Sequence, residues 1–487
     1  MNSNHSDIII IGAGVSGIGA ACHLAINNPD KSVKILEARE ELGGTWSLFK
    51  YPGIRSDSDM YTFGYAFKTW DDTRSFADAE SIKRYITEAA EENDVLDKIQ
   101  YSQKLKSANF DTASALWNLS VLNPITDEKT EYTAKYVFVC TGYYDYDQGY
   151  TPEFKGRENF KGQIIHPQFW PEDLDYADKE VVVIGSGATA VTLIPSMADE
   201  TKHITMLQRS PTYMAAVPLE DGIAKFLKKI LPKKLAHKLI RVKNIGYTMA
   251  FFNACRKWPN FFKSLIIKGA KKELDGAIPV DPHFVPNYKP WDQRFCMAPD
   301  GDFFKVVREG KATVVTDQIE TFTENGIRLQ SGKELKADMI ITATGLNMLV
   351  GGGAEIKIDG QDYDIATKLM YKGLMLSDLP NAVMFTGYTN ASWTLKVNLV
   401  SDFMSRVIKF MDKQGYDYFM PTIKDPELGI EPLLNLDSGY IKRSEHTFPK
   451  QGDKLPWKLY QNFFRDYVTL NHKKINDEGL EFLKKAA

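Results

Sequence analysis

The chain has 487 residues, of which 43% are apolar, 25% are charged and 12% are aromatic, as in ordinary globular proteins. This composition excludes a disordered or collagen-like protein, and the length predicts two or three domains. Sixty basic and 63 acidic residues give a net charge of −3, which predicts no nucleic-acid partner.

The four cysteines are Cys22, Cys140, Cys255 and Cys296, and none of them forms a C-x-x-C pair. We therefore expect neither a redox dithiol nor a metal site. The first residues lack the basic segment and cleavage site of a signal peptide, which predicts a cytoplasmic protein. The longest uncharged stretch, 8–29, contains four glycines. It favours a strand, a turn and a helix over a membrane span.

Six short apolar runs along the chain predict buried parallel strands. In chain order they are Ile8–Ile11, Val33–Leu36, Val137–Cys140, Val181–Ile184, Ile204–Leu207 and Met339–Thr342. Several are followed by apolar residues at helical spacing, which predicts a doubly wound α/β architecture. Two of the runs lead directly into glycine-rich turns.

The first of these turns has the pattern G-x-G-x-x-G. In IIIIGAGVSG, the three glycines are Gly12, Gly14 and Gly17. They allow a tight turn, the close approach of a pyrophosphate, and close packing of the helix on the strand. Glu37 follows the next strand, where a carboxylate accepts hydrogen bonds from ribose hydroxyls. Together these features predict a dinucleotide site.

A second glycine pair follows the acid, in ELGGTWSLF. Gly44 in this pair favours FAD over NAD, because its backbone can pass the ribityl chain of a flavin. Trp46 either covers the flavin ring or packs in the core. The turn YPGIRSDSD adds Arg55 and Asp57, which either form a surface ion pair or place their charges beside the ring.

The second glycine-rich turn is VVVIGSGATA, with Gly185, Gly187 and Ala190 at the small-residue positions. The next strand ends in Arg209 and Ser210 rather than in an acid. An arginine pairs with a 2′-phosphate that a carboxylate would repel. This unit therefore predicts NADPH rather than NADH.

The segment 222–272 contains fourteen Lys or Arg and no acid, so that the rest of the chain carries −17. Its apolar residues have helical spacing. We therefore predict an α/β fold with two dinucleotide-binding, Rossmann-like domains and a helical insertion. Two interpretations of the insertion remain open. It is either a solvated subdomain packed on the NADP unit or a peripheral contact with the inner face of an anionic membrane.

A third motif, FKGQIIHPQFWP, links the two units. It reads F-x-G-x-x-x-H-x-x-x-W-P, with Phe160, Gly162, His166, Trp170 and Pro171 in register. By its own chemistry His166 is more often an interdomain hydrogen-bonding group than a base. The pattern resembles the fingerprint of the type I Baeyer–Villiger monooxygenases.

The resemblance covers nearly the whole chain, from residue 8 to about residue 482. The segments GSGATAVT, LQRSPTY, WDQR, TATGLN and GYTNASWTLK look like the thioamide-activating, ethionamide monooxygenase subgroup. Trp393 in the last of them is either a core residue or part of a pocket wall.

The resemblance implies the cofactor contacts residue by residue. For FAD they are Gly12, Gly14, Ser16, Gly17, Glu37, Gly44, Thr45, Trp46, Ser47, Leu48, Asp57 and Leu105. For NADP they are Arg55, Ser56, Asp57, Gly185, Ser186, Gly187, Ala188, Thr189, Ala190, Val191, Arg209 and Ser210. Arg294 matches the active-site arginine, which the family pairs with the acid at Asp57. Many members have a lysine before that arginine, but here the residue is Gln293.

The resemblance also implies a reaction. It is the conversion of ketones to esters or lactones by NADPH, molecular oxygen and a C4a-peroxyflavin, with sulfoxidation of thioethers or thioamides as a second activity. Arg294 would stabilise the anions that form, and Asp57 would orient it. The alternative is a flavin monooxygenase that oxygenates only nitrogen or sulfur. The absence of C-x-x-C argues against a pyridine-nucleotide–disulfide reductase, and the matched Asp57 and Arg294 argue against a non-catalytic redox sensor.

The motifs also predict the domain limits. The FAD-binding domain would comprise 1–147 and 347–487. The NADP-binding domain would comprise 148–217 and 291–346, interrupted by the basic helical insertion 218–290.

Overall fold

The computed structural model describes residues 4–293, 295–434 and 439–485. Within these residues, a nine-stranded sheet is built from both ends of the chain. In spatial order its strands are Gln361–Asp362, Glu355–Ile358, Lys104–Asp111, Leu116–Leu122, Lys129–Val139, His5–Ile11, Val33–Leu36 and Ile99–Gln100, and Ala382–Met384 also pairs with Lys129–Val139.

The strand His5–Ile11 lies at the centre of this sheet. It pairs in parallel with Val33–Leu36 on one side and with Lys129–Val139 on the other. Its isoleucines are buried, as expected for a parallel strand that is covered on both faces. One covering element is the helix Val15–Asn27, which packs on the long helix Trp393–Gln414.

A second sheet is entirely parallel. Its strands in spatial order are Ala312–Thr316, His203–Gln208, Glu180–Ile184, Met339–Thr342 and Gln163–Ile165. The helix Ala188–Met197 follows the second glycine turn. All six strands predicted from the apolar runs are present, although Cys140 lies just beyond its strand. The predicted fold class is confirmed.

Shorter elements complete the described structure. The remaining helices outside the insertion are Thr45–Leu48, Met60–Phe63, Ala79–Glu91, Asp302–Arg308, Gly439–Ser444 and Phe463–Asn471. The remaining strands are Tyr144–Gly149, Met214–Val217, Cys296–Pro299, Ile319–Thr323, Gly326–Leu329, Glu334–Lys336, Leu346–Met348, Met370–Tyr371, Met375–Leu376, Tyr418–Pro421, Ile430–Pro432, Lys450–Gly452 and Leu480–Leu483.

The two units are joined by a pair of antiparallel strands, Tyr144–Gly149 and Leu346–Met348. His166 lies against this pair and donates a hydrogen bond from Nε2 to the carbonyl of Gly345 at 3.2 Å. Its Nδ1 accepts the backbone N–H of Gln168 at 3.2 Å. Burial lowers the pKa of His166, in keeping with a neutral ring. His166 is thus a hydrogen-bonding group beside the joining strands, and both of its partners lie in the ranges predicted for the NADP unit rather than across the two units.

The insertion consists of the helices Gly222–Ile230, Lys233–Lys257 and Pro259–Leu274. It lies between the strands Met214–Val217 and Cys296–Pro299, which pair in parallel. Across the described residues, no helix is both long enough and apolar enough to cross a bilayer.

The insertion packs on both units rather than on the NADP unit alone. Ala270 and Leu274 join the core of the second sheet. The Arg241 guanidinium, by contrast, donates to the carbonyls of Tyr61 at 2.8 Å and Gly64 at 2.7 Å in the first unit. Helical spacing indicated that an inner face exists, but it carries no information about which neighbour covers that face.

Candidate functional site

A cavity of about 470 Å³ lies where the carboxyl ends of the central strands of the first sheet meet the second unit. Many residues singled out from the sequence line it, namely Gly12, Gly14, Ser16, Glu37, Gly44, Thr45, Trp46, Arg55, Ser56, Asp57, Leu105, Ala188, Thr189 and Val191. Others lie outside its wall, namely Gly17, Ser47, Leu48, Gly185, Ser186, Gly187, Ala190, Arg209 and Ser210. Arg294 lies outside the described residues.

The first glycine turn forms a cradle at one end of the cavity. Gly12 has a φ of +103°, and a Cβ there would lie 2.7 Å from the carbonyl oxygen of Cys140. A Cβ at Gly17 would lie 1.8 Å from the carbonyl oxygen of Gly12, so this glycine permits the turn without lining the cavity. The helix starts after Gly14 with no side-chain cap, which leaves N–H groups for an anion.

Glu37 is buried at the carboxyl end of the next strand. Its Oε2 accepts the backbone N–H of Ala13 at 2.6 Å, and its Oε1 accepts that of Arg39 at 3.0 Å. Burial raises the pKa of Glu37, while these hydrogen bonds and the Arg39 charge oppose that rise. Carboxylate oxygens have further lone pairs, and Glu37 faces the cavity, so it can accept hydroxyl groups there.

The loop after Glu37 is held by Arg39, a residue that sequence reasoning missed. Its Nη1 donates to Ser47 Oγ at 2.7 Å, and Ser47 Oγ donates to the carbonyl of Gly44 at 3.1 Å. Leu48 packs against the core of the second sheet. Ser47 and Leu48 therefore support the loop from behind, whereas Gly44 faces the cavity.

Two tryptophans are half-buried in the cavity wall. The Trp46 ring packs edge-on against Phe63, with ring centroids 5.6 Å apart. Trp393 donates from Nε1 to Ser16 Oγ at 2.8 Å, and its ring centroid lies 5.0 Å from that of Tyr143. Each tryptophan therefore combines core packing with a cavity-facing surface, so the alternatives considered from the sequence are not exclusive.

The segment 51–57 contacts the second unit. Arg55 donates from Nη1 to Asp302 Oδ2, and Tyr51 shares a hydrogen bond with Thr189. Burial raises the pKa of Tyr51 to about 12, so its hydroxyl stays protonated at neutral pH. Asp57 is exposed beside the same cavity. Arg55 thus forms an ion pair between the units while lining the cavity.

The second glycine turn repeats the geometry of the first. Gly185 has a φ of +137°, and a Cβ there would lie 2.3 Å from the carbonyl oxygen of Ala343. A Cβ at Gly187 would meet nothing within 4 Å, so the space in front of this helix start is open. The turn is held by a hydrogen bond of 2.9 Å between the side chains of Ser186 and Thr212.

Arg209 and Ser210 are exposed just after the strand His203–Gln208, which adjoins the strand of the second glycine turn. Among the described residues, no carboxylate forms an ion pair with Arg209. The guanidinium is therefore available to an anionic ligand at the end of this strand.

Several other cavity-lining residues were missed by the sequence analysis. Tyr143, Tyr144, Asp145 and Tyr146 lie in the wall, in the segment TGYYDYD that follows the strand Lys129–Val139. This strand is a parallel neighbour of the first motif strand. Ligands of open α/β sheets bind beyond the carboxyl ends of such strands, and that rule could have identified the segment.

Comparison with known proteins identifies the family of this chain. A family model described as pyridine nucleotide-disulphide oxidoreductase matches residues 9–244. The FAD-containing monooxygenase EthA of Mycolicibacterium smegmatis is 49% identical over 486 residues, which cover 100% of this chain and 98% of that protein. The chain belongs to the FAD-containing monooxygenases.

Solved structures of flavin monooxygenases share the fold. OTEMO in complex with FAD and NADP aligns with a TM-score of 0.70 at 23% identity, over 86% of this chain and 88% of that one. Epsilon-caprolactone-bound cyclohexanone monooxygenase aligns with a TM-score of 0.74 at 19% identity, over 98% and 99%. The family model spans both glycine turns of this flavin monooxygenase. The absence of C-x-x-C from the chain argues against disulfide chemistry.

Proposed function

We propose that this flavin monooxygenase uses FAD, NADPH and molecular oxygen to convert ketones to esters or lactones, with sulfoxidation of thioethers or thioamides as a second activity. The observation that carries the proposal is that both glycine-turn helices reach one shared cavity, with Arg55 and Asp57 in its wall. Epsilon-caprolactone, bound to the cyclohexanone monooxygenase of the same fold, is a lactone.

The first unit would hold FAD. The Gly12–Gly14 turn would bind the pyrophosphate at the helix start, and Glu37 would accept the ribose hydroxyls. The pairing of 355–358 and 382–384 with N-terminal strands supports an FAD-binding domain formed by 1–147 and 347–487. FAD, when bound there, would supply the activation and transfer of oxygen, with NADPH as the source of electrons.

The second unit would hold NADPH. The open space at Gly187 would admit the pyrophosphate, and Arg209 with Ser210 would bind the 2′-phosphate. Arg55 and Asp57 would bring their charges to the nicotinamide side of the cavity. Arg294 would stabilise the negative charge on the oxygen atoms during transfer, and Asp57 would hold its guanidinium in position.

The test is NADPH consumption with and without a ketone, followed by analysis of the products. The proposal expects ester or lactone formation in step with NADPH oxidation. Oxygenation of amines or sulfides alone would instead identify the alternative monooxygenase. A panel of linear, cyclic and aryl ketones and thioethers would then define the substrate class.

We expect Arg209→Ala to weaken the binding of NADPH selectively. Loss of a hydrogen bond to a charged group costs about 1.5–3 kcal/mol, which corresponds to roughly a tenfold to hundredfold rise in the KM for NADPH, while the KM for NADH changes little. Arg157→Ala is the matched control, because Arg157 is an exposed arginine elsewhere on the surface. Equal kcat/KM for NADPH and NADH in the unmodified protein would contradict the assignment.

A further inference from the structure

The outward side of the insertion is unusually apolar. Of the twenty large apolar side chains that are exposed in the described part of the chain, ten lie in this insertion, nine on its three helices and one, Trp258, between the second and the third. We call them the apolar surface, and they are Ile223, Phe226, Ile230, Leu235, Leu239, Val242, Tyr247, Trp258, Phe261 and Leu265. Soluble monomers rarely expose large contiguous apolar patches unless a partner covers them.

The spacing shows that these exposed residues form a helix face of their own, separate from the face that packs in the core. Ile223, Phe226 and Ile230 follow one another at i, i+3 and i+7, and Trp258, Phe261 and Leu265 repeat that spacing. The same helices bury a different stripe, which includes Ala224, Ile240 and Ile266. Helices that are apolar on two faces need two apolar neighbours, and the described residues supply only the inner one.

Aromatic contacts make the surface continuous between the second and third helices. Tyr247, which is 71% exposed, stacks on Phe251 with ring centroids 6.3 Å apart. The ring centroid of Phe262 lies 5.8 Å from that of Phe251 and 5.3 Å from that of the exposed Phe261. The helix Phe463–Asn471 extends the surface, because its exposed Phe464 and Tyr467 line a cavity of about 1000 Å³ together with Val242.

The charges around this surface indicate what covers it. Seven lysines of the insertion are exposed and have no ion-pair partner among the described residues. They are Lys229, Lys234, Lys238, Lys257, Lys268, Lys271 and Lys272. A second copy that presented the same face would bring these cations against each other, and like charges oppose association. An anionic, apolar surface matches both the cations and the apolar face.

We propose that the apolar surface of the insertion docks on an anionic lipid bilayer. The apolar side chains would enter the boundary between headgroups and acyl chains, and the seven lysines would attract anionic headgroups. Trp258 and Tyr247 have the amphipathic rings that suit this boundary. The contact is peripheral, since the helices lie along the surface of the protein.

Docking in this orientation would bring lipid close to the candidate active site. On the inner side of the helix Lys233–Lys257, Ile245 and Met249 pack with Tyr388, Leu395 and Ala391. Tyr388 and Ala391 also line the 470 Å³ cavity. One helix therefore separates the proposed lipid contact from the cavity wall. The docking itself does not depend on which reaction the cavity performs.

The test is co-sedimentation of the FAD-loaded protein with vesicles of phosphatidylglycerol and phosphatidylcholine, compared with phosphatidylcholine alone. We expect binding to the anionic vesicles at low salt that falls as salt is added, because salt screens exposed charges. The double variant Lys268→Glu and Lys272→Glu should bind the anionic vesicles more weakly by about tenfold or more, since each lysine near the surface contributes to the attraction.

A matched control is Lys409→Glu with Lys413→Glu. These lysines are also exposed and four residues apart on one helix, so the variant has the same change in net charge. It should bind vesicles nearly as the parent does. For the apolar part, Phe261→Ser with Leu265→Ser should reduce binding severalfold. Ile125→Ser with Ile430→Ser, at exposed positions outside the surface, should not.

Three results would overturn the proposal. The first is no binding to anionic vesicles at low salt. The second is an equal loss of binding in the insertion variants and in their controls. The third is concentration-dependent self-association without lipid that Phe261→Ser with Leu265→Ser abolishes, because the surface would then be an interface between copies of this chain. Retained FAD absorbance in each variant identifies the properly folded proteins.

Discussion

Replacing Arg294 by alanine should reduce ester formation by roughly a hundredfold or more while FAD remains bound. A guanidinium is permanently protonated, and removing one donor that stabilises a developing oxyanion typically costs about 10²–10³ in rate. The reductive half-reaction, followed without oxygen by the loss of flavin colour, should slow much less. Product formation from a ketone measures the other half-reaction.

Two further variants make this result specific. Arg209→Ala removes the same kind of charge and should raise the KM for NADPH without preventing oxygenation at saturating NADPH. Asp57→Ala should give a milder form of the Arg294→Ala phenotype, because Asp57 would orient the guanidinium rather than supply the positive charge. Near wild-type ketone conversion by Arg294→Ala would refute its proposed catalytic role.

Gly185→Ala and Gly187→Ala should have opposite consequences although the two residues are neighbours in one turn. At Gly185 the methyl group would meet the Ala343 carbonyl oxygen at 2.3 Å, on a backbone with φ of +137°. We expect backbone strain and overpacking to lower the free energy of unfolding by about 2–5 kcal/mol. At Gly187 the methyl group enters open space, so thermal unfolding should change little, while NADPH should bind more weakly.

Two measurements distinguish these effects. Circular dichroism during heating gives the melting temperature, and titration with NADPH, followed by the quenching of protein fluorescence, gives the NADPH affinity. Gly222→Ala is a suitable control, because a Cβ at Gly222 also meets nothing within 4 Å and lies far along the chain from the turn. A variant Gly185→Ala with an unchanged melting temperature would show that the turn can relax. A variant Gly187→Ala with unchanged NADPH affinity would argue against a pyrophosphate at this helix start.

The sequence alone determines the two glycine turns and the strands that lead into them. Their signals are local, because a tight turn between a buried strand and a helix needs glycine at fixed spacing. Gly12 and Gly185 both have positive φ in the structure, as their positions in the motifs require. Glu37 also lies where the spacing predicts, at the end of the adjacent strand.

The tertiary structure decided which distant residues share the cavity. Arg55 meets Asp302, Trp393 meets Ser16, and Tyr51 meets Thr189. These partners are far apart in the chain, and no periodicity or motif records which of them lie close together. The same reason explains the insertion. Helical spacing shows two apolar faces, but only packing reveals which face is covered, since burial depends on neighbours brought together by the whole fold.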